Sequence, residues 1–294
     1  MWRVAILVLL LAGCAAPPPR APGTLEFALL GDTPYSQAQA NLLDAMIDDM
    51  NAAPLAFAVH VGDITSGQGP CSNAWLEARK RELERSTHAL VLLPGDNEWT
   101  DCWREGFDPL ERLAFWRGLF CTGDHSLGAH PIALERQSSD PRFPEYCENV
   151  RWSAANVEFV GVNVPGSNND LGRTPRMDAE YEHRMRAVLA WLKESFDRAA
   201  REHRAAVMVL MHADPHFEPE ARPKPDGYAT LREALTTHAR EFPGRVLLVH
   251  GDSHAYRDDT LAPNLRRIEV FGAPAVRWLR ASVLNGEIRV VPAD

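Results

Sequence analysis

Five short apolar segments of this chain each stop at an acidic turn, and this repetition restricts the fold more than any other feature of the sequence. The segments span residues 25–30, 55–61, 89–93, 206–211 and 246–249. The aspartates that follow them are Asp32, Asp63, Asp96, Asp214 and Asp252. Apolar runs of this length are typical of strands that are covered on both faces. The sequence therefore predicts a layered α/β fold.

Helical patterns alternate with these strands through nearly the whole chain, which favours one domain over two. They span residues 37–50, 75–85, 110–119, 179–202 and 228–241. Ser36 is a candidate N-cap for the first of them. A period of two returns in residues 266–271 and 276–284, and Asn285-Gly286 fits a tight hairpin turn after the second. The chain is therefore predicted to end in a group of antiparallel strands.

The aspartates are expected to meet, because the loops at the carboxyl ends of the strands converge in an open α/β sheet. Four or more carboxylates in one crevice repel one another, and bound divalent cations are the usual way to offset that repulsion. A single aspartate after a strand is more often ordinary turn or helix-cap chemistry. Five such positions, two of them accompanied by histidines, favour a metal site.

The ordered motifs resemble those of the calcineurin-like metallophosphoesterases. The segments that carry the resemblance are Gly31-Asp32, Gly62-Asp63, residues 94–98 (PGDNE), His212 and residues 251–254 (GDSH). The resemblance implies a four-layer α/β/β/α sandwich of two mixed sheets flanked by helices, in a metallophosphoesterase domain over residues 25–294. It also implies hydrolysis of a phosphate mono- or diester by a hydroxide that bridges two divalent or mixed-valence metal ions.

The same resemblance implies which side chains hold the ions. The six implied ligands are Asp32, Asp63, Asp96, His212, Asp252 and His254. Asp32, Asp63 and His254 would bind the first cation. Asp63 would bridge to the second cation, which the other three ligands would complete.

This chain departs from the family pattern at several metal positions. Pro34 stands where the first motif has a metal-binding histidine, and proline cannot coordinate. Asp96 and Asp252 replace an asparagine and a histidine, and oxygen ligands favour the harder ions. Manganese, iron and magnesium are therefore favoured, with zinc as a further candidate. Tyr35 follows the missing ligand, and it either fills that place or packs as an ordinary aromatic residue.

Two residues are predicted to take part in catalysis. Asn97 replaces the histidine that assists the leaving group in the family, and an asparagine cannot transfer a proton at neutral pH. We assign Asn97 a hydrogen bond to a phosphoryl oxygen. His250 directly precedes the fifth motif and is the preferred candidate for leaving-group protonation, with Glu98 and His60 as the others. We interpret His60 as a hydrogen-bonded core histidine, since it alternates with apolar neighbours.

The first residues are typical of an exported lipoprotein. A basic residue precedes an apolar run that is too short to span a bilayer as a mature helix. Residues 11–14 (LAGC) then resemble a bacterial lipobox. We predict a lipoprotein signal peptide over residues 1–13, a lipid on Cys14 and a tether over residues 14–24. The chain is thus expected on the periplasmic side of a bacterial cell envelope, and Ala15 after the cysteine favours the outer membrane, by resemblance to lipoproteins.

The remaining cysteines are interpreted in the light of that export. Cys71, Cys102, Cys121 and Cys147 are an even set in an oxidising compartment, so two disulfides are predicted and three pairings are open. Their spacing does not match a zinc site. Three of them lie in residues 100–153, which lack a repeated strand pattern and which we interpret as a long excursion.

The expected partners are few. The net charge of −9, without a basic stripe, argues against a nucleic-acid binder. We expect a small phosphate ester as substrate, a membrane contact through the lipid on Cys14, and a monomer. The main alternative is a metal-binding envelope lipoprotein with weak or no catalysis, because Pro34 and Asn97 replace functional histidines. A metal-independent esterase that uses Ser253 is a third hypothesis.

Overall fold

The computed structural model describes residues 23–293. The predicted signal peptide, the lipid site Cys14 and most of the tether lie outside the described residues. The strands are β1 Leu25–Leu30, β2 Phe57–His60, β3 Ala89–Leu92, β4 Glu135–Arg136, β5 Val150–Ala154, β6 Val157–Gly161, β7 Ala206–Leu210, β8 Arg245–His250, β9 Arg257–Ala262, β10 Leu265–Glu269, β11 Leu279–Leu284 and β12 Glu287–Pro292. The helices are α1 Gln37–Ala52, α2 Asn73–Leu83, α3 Pro109–Phe120, α4 Gly166–Asn169, α5 Pro175–Arg201 and α6 Ala229–Glu241. Short 3-10 helices span Thr100–Glu105, Gln137–Ser139 and Pro219–Ala221.

Two mixed sheets form the centre of the fold. The first has the strand order β12-β11-β1-β2-β3, in which β1, β2 and β3 are parallel and the hairpin of β11 and β12 runs antiparallel to β1. The second has the order β4-β5-β6-β7-β8-β10-β9, with four parallel strands from β6 to β10 and antiparallel strands at both edges. All five strands that the apolar runs predict are present.

Side-chain alternation along the strands builds three apolar layers. In β7, Met208 faces the other sheet, whereas Val207 and Val209 face α5 and α6. Helices α1, α2 and α3 cover the outer face of the first sheet, where Ile47 and Trp116 pack against it. Both sheets are therefore covered on both faces, which is why their strands are almost entirely apolar. The predicted four-layer α/β/β/α sandwich is confirmed.

Local signals set several element boundaries. The Ser36 side chain accepts a hydrogen bond from the Gln39 N–H and so caps α1 as predicted. Asn285 and Gly286 have φ values of 52° and 80°, which are the values that a tight hairpin between β11 and β12 requires. Among the described helices, no segment is both long enough and apolar enough to cross a membrane.

The excursion is more ordered than the sequence suggests. It contains α3 and ends in β5, which pairs with β6 at one side of the second sheet. Two disulfides anchor it, and they select one of the three open pairings: Cys71 bonds to Cys102 and Cys121 bonds to Cys147. The two disulfides join cysteines 31 and 26 residues apart, and in the chain-entropy model a disulfide that closes such a loop stabilises the fold by about 3.5 kcal/mol. The excursion is therefore held firmly beside the sandwich.

Candidate metal centre

Four aspartates follow the carboxyl ends of β1, β2, β3 and β8 at one end of the sandwich. Asp32, Asp63 and Asp252 have positive φ values of 51°, 62° and 77°. This left-handed conformation is uncommon for residues with a Cβ and clusters at functional sites. The side chains of Asp32, Asp63 and Asp96 are buried, whereas Asp252 keeps some contact with solvent. The four acidic groups thus meet in one pocket.

Glycines precede these aspartates because neighbouring carboxylates approach the backbone closely there, and because the chain turns sharply. A Cβ at Gly95 would lie 2.1 Å from Asp63 Oδ1, and one at Gly251 would lie 2.1 Å from Asp32 Oδ2. Of these glycines, Gly62 is the one with a positive φ, at 113°. The carboxylates rest against bare backbone, and any side chain at these positions would displace them.

His212 follows β7 and lies between the carboxylates. Its Nε2 atom is 3.1 Å from Asp96 Oδ1, 3.3 Å from Asp63 Oδ1 and 4.0 Å from Asp252 Oδ1. His212 belongs to two groups of potential metal ligands. Within each group, the ligand atoms lie within 4.8 Å of one another. One group includes Asp32 and Asp63, and the other includes Asp96 and Asp252. The pocket therefore offers two adjacent places for a cation.

The first group extends to a histidine and a tyrosine. His254 Nε2 is 3.5 Å from Asp32 Oδ1, so the structure brings all six predicted ligands together. The Tyr35 hydroxyl donates to Asp63 Oδ2 at 2.7 Å and lies 2.9 Å from His254 Nε2. Of the two interpretations that the sequence left open for Tyr35, these contacts favour the polar one. The Tyr35 hydroxyl lies among the predicted ligands of the first cation, where Pro34 replaces the histidine of the family motif.

The electrostatics of the pocket suit divalent cations. Burial raises the pKa of Asp32 and of Asp252 to about 7, and it raises the pKa of Asp63 well above its usual range. Burial alone would lower the pKa of His212, but the neighbouring carboxylates, led by Asp63, raise it instead. Asp32 Oδ2 is buried without a hydrogen-bond partner in the described part of the chain. Such a donor set takes up protons unless cations replace them, so the residues fit two metal ions.

Asn97 contacts a predicted metal ligand. Its backbone N–H donates to Asp63 Oδ1 at 3.0 Å, and its side-chain amide donates to Asp63 Oδ2 and to the Thr65 carbonyl oxygen. Both amide hydrogens are thus in use, which leaves none for a phosphoryl oxygen. The geometry makes Asn97 a positioning residue for Asp63 in place of the direct catalytic role that we predicted.

Asn97→Ala is expected to weaken metal binding and to lower kcat/KM by about 10- to 100-fold, the usual cost of removing a group that orients a ligand. Asn41→Ala, at an exposed amide on α1 that accepts a hydrogen bond from the Gln37 side chain, is the control. Metal titration and steady-state kinetics on both variants check this. Unchanged metal affinity with a large loss of rate would return Asn97 to a direct role on the substrate.

His250, the preferred candidate for leaving-group protonation, lies outside the metal pocket. His250 is the last residue of β8 and pairs with Glu269 of β10. Its neighbour Val249 packs between the two sheets, so the His250 side chain lies on the opposite face of β8. Its Nδ1 atom contacts the Gly251 carbonyl oxygen, and burial lowers its pKa to about 4. The structure therefore does not bring His250 into the metal pocket, and its predicted catalytic role has no geometric support.

His60 and Glu98 are buried close to the pocket and bond to its loops. His60 accepts the Gly62 N–H at Nδ1 and contacts the Thr33 carbonyl oxygen at 2.9 Å, as expected for a satisfied core histidine. Glu98 Oε1 accepts the backbone N–H groups of Asp63 and Gly95, whereas its Oε2 is buried without a hydrogen-bond partner among the described residues. Both side chains hold the loops that carry the aspartates.

Ser167 and Asp101 lie at the edge of the metal pocket, although the sequence did not predict them there. The Ser167 hydroxyl lies 3.0 Å from Asp96 Oδ2 and 2.9 Å from Asp101 Oδ1, so it bridges the metal pocket and the excursion. The backbone turns sharply here, with positive φ values from Ser167 to Asp170 inside the short α4. Asp101 had no local signal, because nothing near it in sequence marks it as a neighbour of Asp96.

Asp214 and Ser253 lie in loops beside the pocket. The Asp214 N–H donates to Asp252 Oδ2 at 3.0 Å, and its carboxylate contacts Arg257, so Asp214 fixes its loop. The Ser253 hydroxyl donates to Glu269. It has no histidine partner among its described contacts, and the arrangement of a serine esterase is absent there.

Solved structures share this architecture. A dimetal phosphatase from Danio rerio superposes with a TM-score of 0.63 at 14% identity, over 91% of this chain and 95% of that one. A purple acid phosphatase from yellow lupin (Lupinus luteus) seeds gives 0.55 at 11% identity, over 92% of this chain and 52% of that one. A putative 5'-nucleotidase from Staphylococcus aureus gives 0.50 at 13% identity, over 92% and 53% respectively. This chain spans about half the length of the last two.

No protein-family model matches the sequence, and no curated protein matches it either. Identities of this size speak for the fold alone. The fold follows from two observations that agree. One is the arrangement of the strands and of the helices on both outer faces, and the other is the likeness to these solved structures. The chain has the calcineurin-like metallophosphoesterase fold.

Proposed function

We propose that this protein is a metal-dependent hydrolase that cleaves a phosphate mono- or diester. The observation that carries the proposal is the meeting of four carboxylates, three of them buried, with the buried His212 in a single pocket at the carboxyl ends of β1, β2, β3, β7 and β8. A purely structural role would not explain so many like charges in one buried place, since each costs free energy unless a cation or proton compensates it.

The chain supplies ligands and orientation to this chemistry. Asp32, Asp63 and His254 would hold one ion, with Tyr35 beside them, while Asp63 would bridge to the ion of the other three ligands. When bound, two such ions provide a hydroxide nucleophile at neutral pH and positive charge at the phosphoryl oxygens. Asn97 keeps the Asp63 carboxylate in place. Manganese, iron and magnesium suit the oxygen-rich set best, with zinc also a candidate.

Metal reconstitution tests the proposal. The chelated protein is expected to be inactive, and manganese, iron, magnesium or zinc is expected to restore hydrolysis of an aryl phosphate or of a phosphodiester. Two ions per chain should be found by elemental analysis. Full activity after complete removal of metal would rule the proposal out, and a metal-independent esterase would then be tested with Ser253→Ala.

A metal-binding envelope protein without catalysis is the second candidate. It is favoured by the proline at position 34 and by Asn97, whose amide cannot protonate a leaving group. Stoichiometric metal binding without turnover of any phosphate ester would favour it over the enzyme.

We further propose that the protein is exported and lipid-anchored on the periplasmic side of the envelope. The two disulfides, Cys71–Cys102 and Cys121–Cys147, support an oxidising compartment. The mass of the amino-terminal peptide from membrane fractions tests this, because lipid on Cys14 adds a defined mass and cleavage before Cys14 removes residues 1–13.

A further inference from the structure

Two of the predicted metal ligands, Asp252 and His254, lie in one short loop after β8. Both have a left-handed backbone, with φ values of 77° and 62°. This conformation costs about 1–3 kcal/mol for a residue with a Cβ, and it persists only where surrounding contacts enforce it. Asp252 shares its group of ligand atoms with Asp96 and His212, whereas His254 contacts Asp32. The geometry of this one loop therefore affects both cation places.

Glu269, the last residue of β10, holds this loop from behind. Its Oε1 atom accepts a hydrogen bond from the Ser253 hydroxyl and another from the Ala255 N–H at 3.3 Å. Ser253 lies between Asp252 and His254 in the chain, and Ala255 follows them. One carboxylate oxygen thus bonds to the loop on both sides of His254.

Glu269 is fully buried, and a buried carboxylate needs a compensating partner. Arg257 Nε lies 3.2 Å from Glu269 Oε2, a contact between charges without the alignment of a hydrogen bond. Oε1 is therefore the oxygen that holds the loop. Burial raises the pKa of Glu269 to about 7. Oε1 can accept in either protonation state, since a carboxylic acid keeps an acceptor oxygen.

Arg257 connects the same arrangement to the side chain of Asp252. Its Nη1 atom is 3.3 Å from Asp214 Oδ2, and its Nη2 atom donates to the Ser253 hydroxyl oxygen at 3.2 Å. The Asp214 N–H in turn donates to Asp252 Oδ2 at 3.0 Å. The carboxylate of Asp252 is therefore oriented by Asp214, while the backbone beside it is held by Glu269 through Ser253.

The ring of His254 is oriented by a separate contact. Its Nδ1 atom lies 2.8 Å from the Ala273 carbonyl oxygen, which leaves Nε2 on the side of Asp32. The Ala273 N–H also donates to the Asp32 carbonyl oxygen at 3.0 Å. This contact sets the direction of the ring, but it does so only while the loop keeps the His254 backbone in place. The position of that backbone depends on Glu269.

We propose that Glu269 is a positioning residue of the metal centre, which holds the loop of Asp252 and His254 in the conformation that both cations need. The inference rests on the metal ligands of the proposed phosphoesterase function. Glu269 acts through the loop, so its removal should lower the affinity for both ions. Ser167, by contrast, contacts Asp96, a predicted ligand of the second cation alone.

Calorimetric titration of the chelated protein with Mn²⁺ tests the inference. Glu269→Ala is expected to weaken both binding steps by about 10- to 100-fold, the usual cost of removing a group that orients metal ligands. Glu269→Gln keeps an acceptor oxygen and should lie closer to the unaltered protein, since Arg257 is partly exposed and can turn to solvent. A glutamine variant as weak as Glu269→Ala would overturn the role of the acceptor oxygen.

Glu158 provides a matched control at the opposite end of the second sheet. It lies near the amino end of β6, is fully buried, accepts the Ser153 hydroxyl at 2.6 Å and is 3.2 Å from an Arg198 nitrogen. Glu158→Ala should lower the melting temperature by an amount comparable to Glu269→Ala but leave the Mn²⁺ affinity unchanged. If both variants lose stability and neither loses affinity, Glu269 has a structural role only and the inference fails.

Metal rescue separates this inference from the proposed activity. Glu269→Ala keeps all six predicted ligands, so excess Mn²⁺ should restore its kcat, and a kcat that stays low at saturating Mn²⁺ would contradict a positioning role. If no phosphate ester is hydrolysed, the proposed activity fails and the Mn²⁺ affinities alone decide the inference. If Glu269→Ala does not fold, Ser253→Ala should weaken both binding steps by about three- to tenfold, the worth of one hydrogen bond. Unchanged affinity in Ser253→Ala would then overturn the inference.

Discussion

Replacing Asp63 with asparagine is expected to lower kcat/KM by about 1,000-fold, the largest effect of any single substitution in the metal pocket. Asp63 Oδ1 is 3.3 Å from His212 Nε2, while Oδ2 accepts hydrogen bonds from Tyr35 and Asn97. The carboxylate thus stands between the two candidate cation places, and its loss weakens both. Several kcal/mol of charge stabilisation in the transition state corresponds to a rate change of this size.

Elemental analysis and steady-state kinetics check this prediction together. The metal content of Asp63→Asn should fall below that of the unaltered protein at equal metal concentration. Asp197→Asn, an exposed carboxylate on α5 that pairs with Lys193, serves as the control and should retain both metal and rate. A variant of Asp63 with unaltered rate and two ions per chain would show that the ligand assignment is wrong.

The second large effect is expected in stability: His212→Ala should destabilise the metal-free protein by about 3–5 kcal/mol, the usual cost of removing one partner from a buried charged pair. Its imidazolium is the one cation within 4 Å of Asp63, Asp96 and Asp252 among the contacts of the described residues. Without it, these carboxylates face one another in the absence of metal. The melting temperature should fall on the order of 10 °C.

Thermal unfolding after chelation at pH 6 measures this effect. His254→Ala is the matched control, because His254 has a partly exposed side chain and contacts a single carboxylate, Asp32, at 3.5 Å. It should cost much less than His212→Ala. Equal destabilisation by the two substitutions would mean that His212 does not hold the carboxylates together.

The secondary structure followed from the sequence to a large extent. β1 spans the predicted residues 25–30, and α1 begins after the Ser36 cap. These signals are local, because apolar periodicity and capping depend on residues a few positions apart. Strand β5, next to the edge strand β4, was missed, because its alternation covers only five residues and it lies within the irregular excursion.

The convergence of the acidic residues was also readable from the sequence. Loops after parallel strands meet at one end of a sheet wherever the strands lie in it, so Asp32, Asp63 and Asp96 could be placed together without coordinates. His212 and Asp252 were expected there as well, and the structure brings them to the same pocket from the second sheet. The roles of these residues as metal ligands stay predictions until metal is measured.

Apolar periodicity and turn residues were enough to predict most strands and helices and the acidic end of the sandwich, because each depends on residues a few positions apart. Which side chains reach the pocket depends on how the elements pack. His212 and His250 both stand at strand ends beside an aspartate, yet one enters the pocket and the other lies on the opposite face of its sheet. The disulfide pairing and the approach of Ser167 and Asp101 to Asp96 were decided in the same way. Such contacts join residues far apart in the chain. They form only when the chain has packed into its tertiary structure, so periodicity along the sequence does not reveal them.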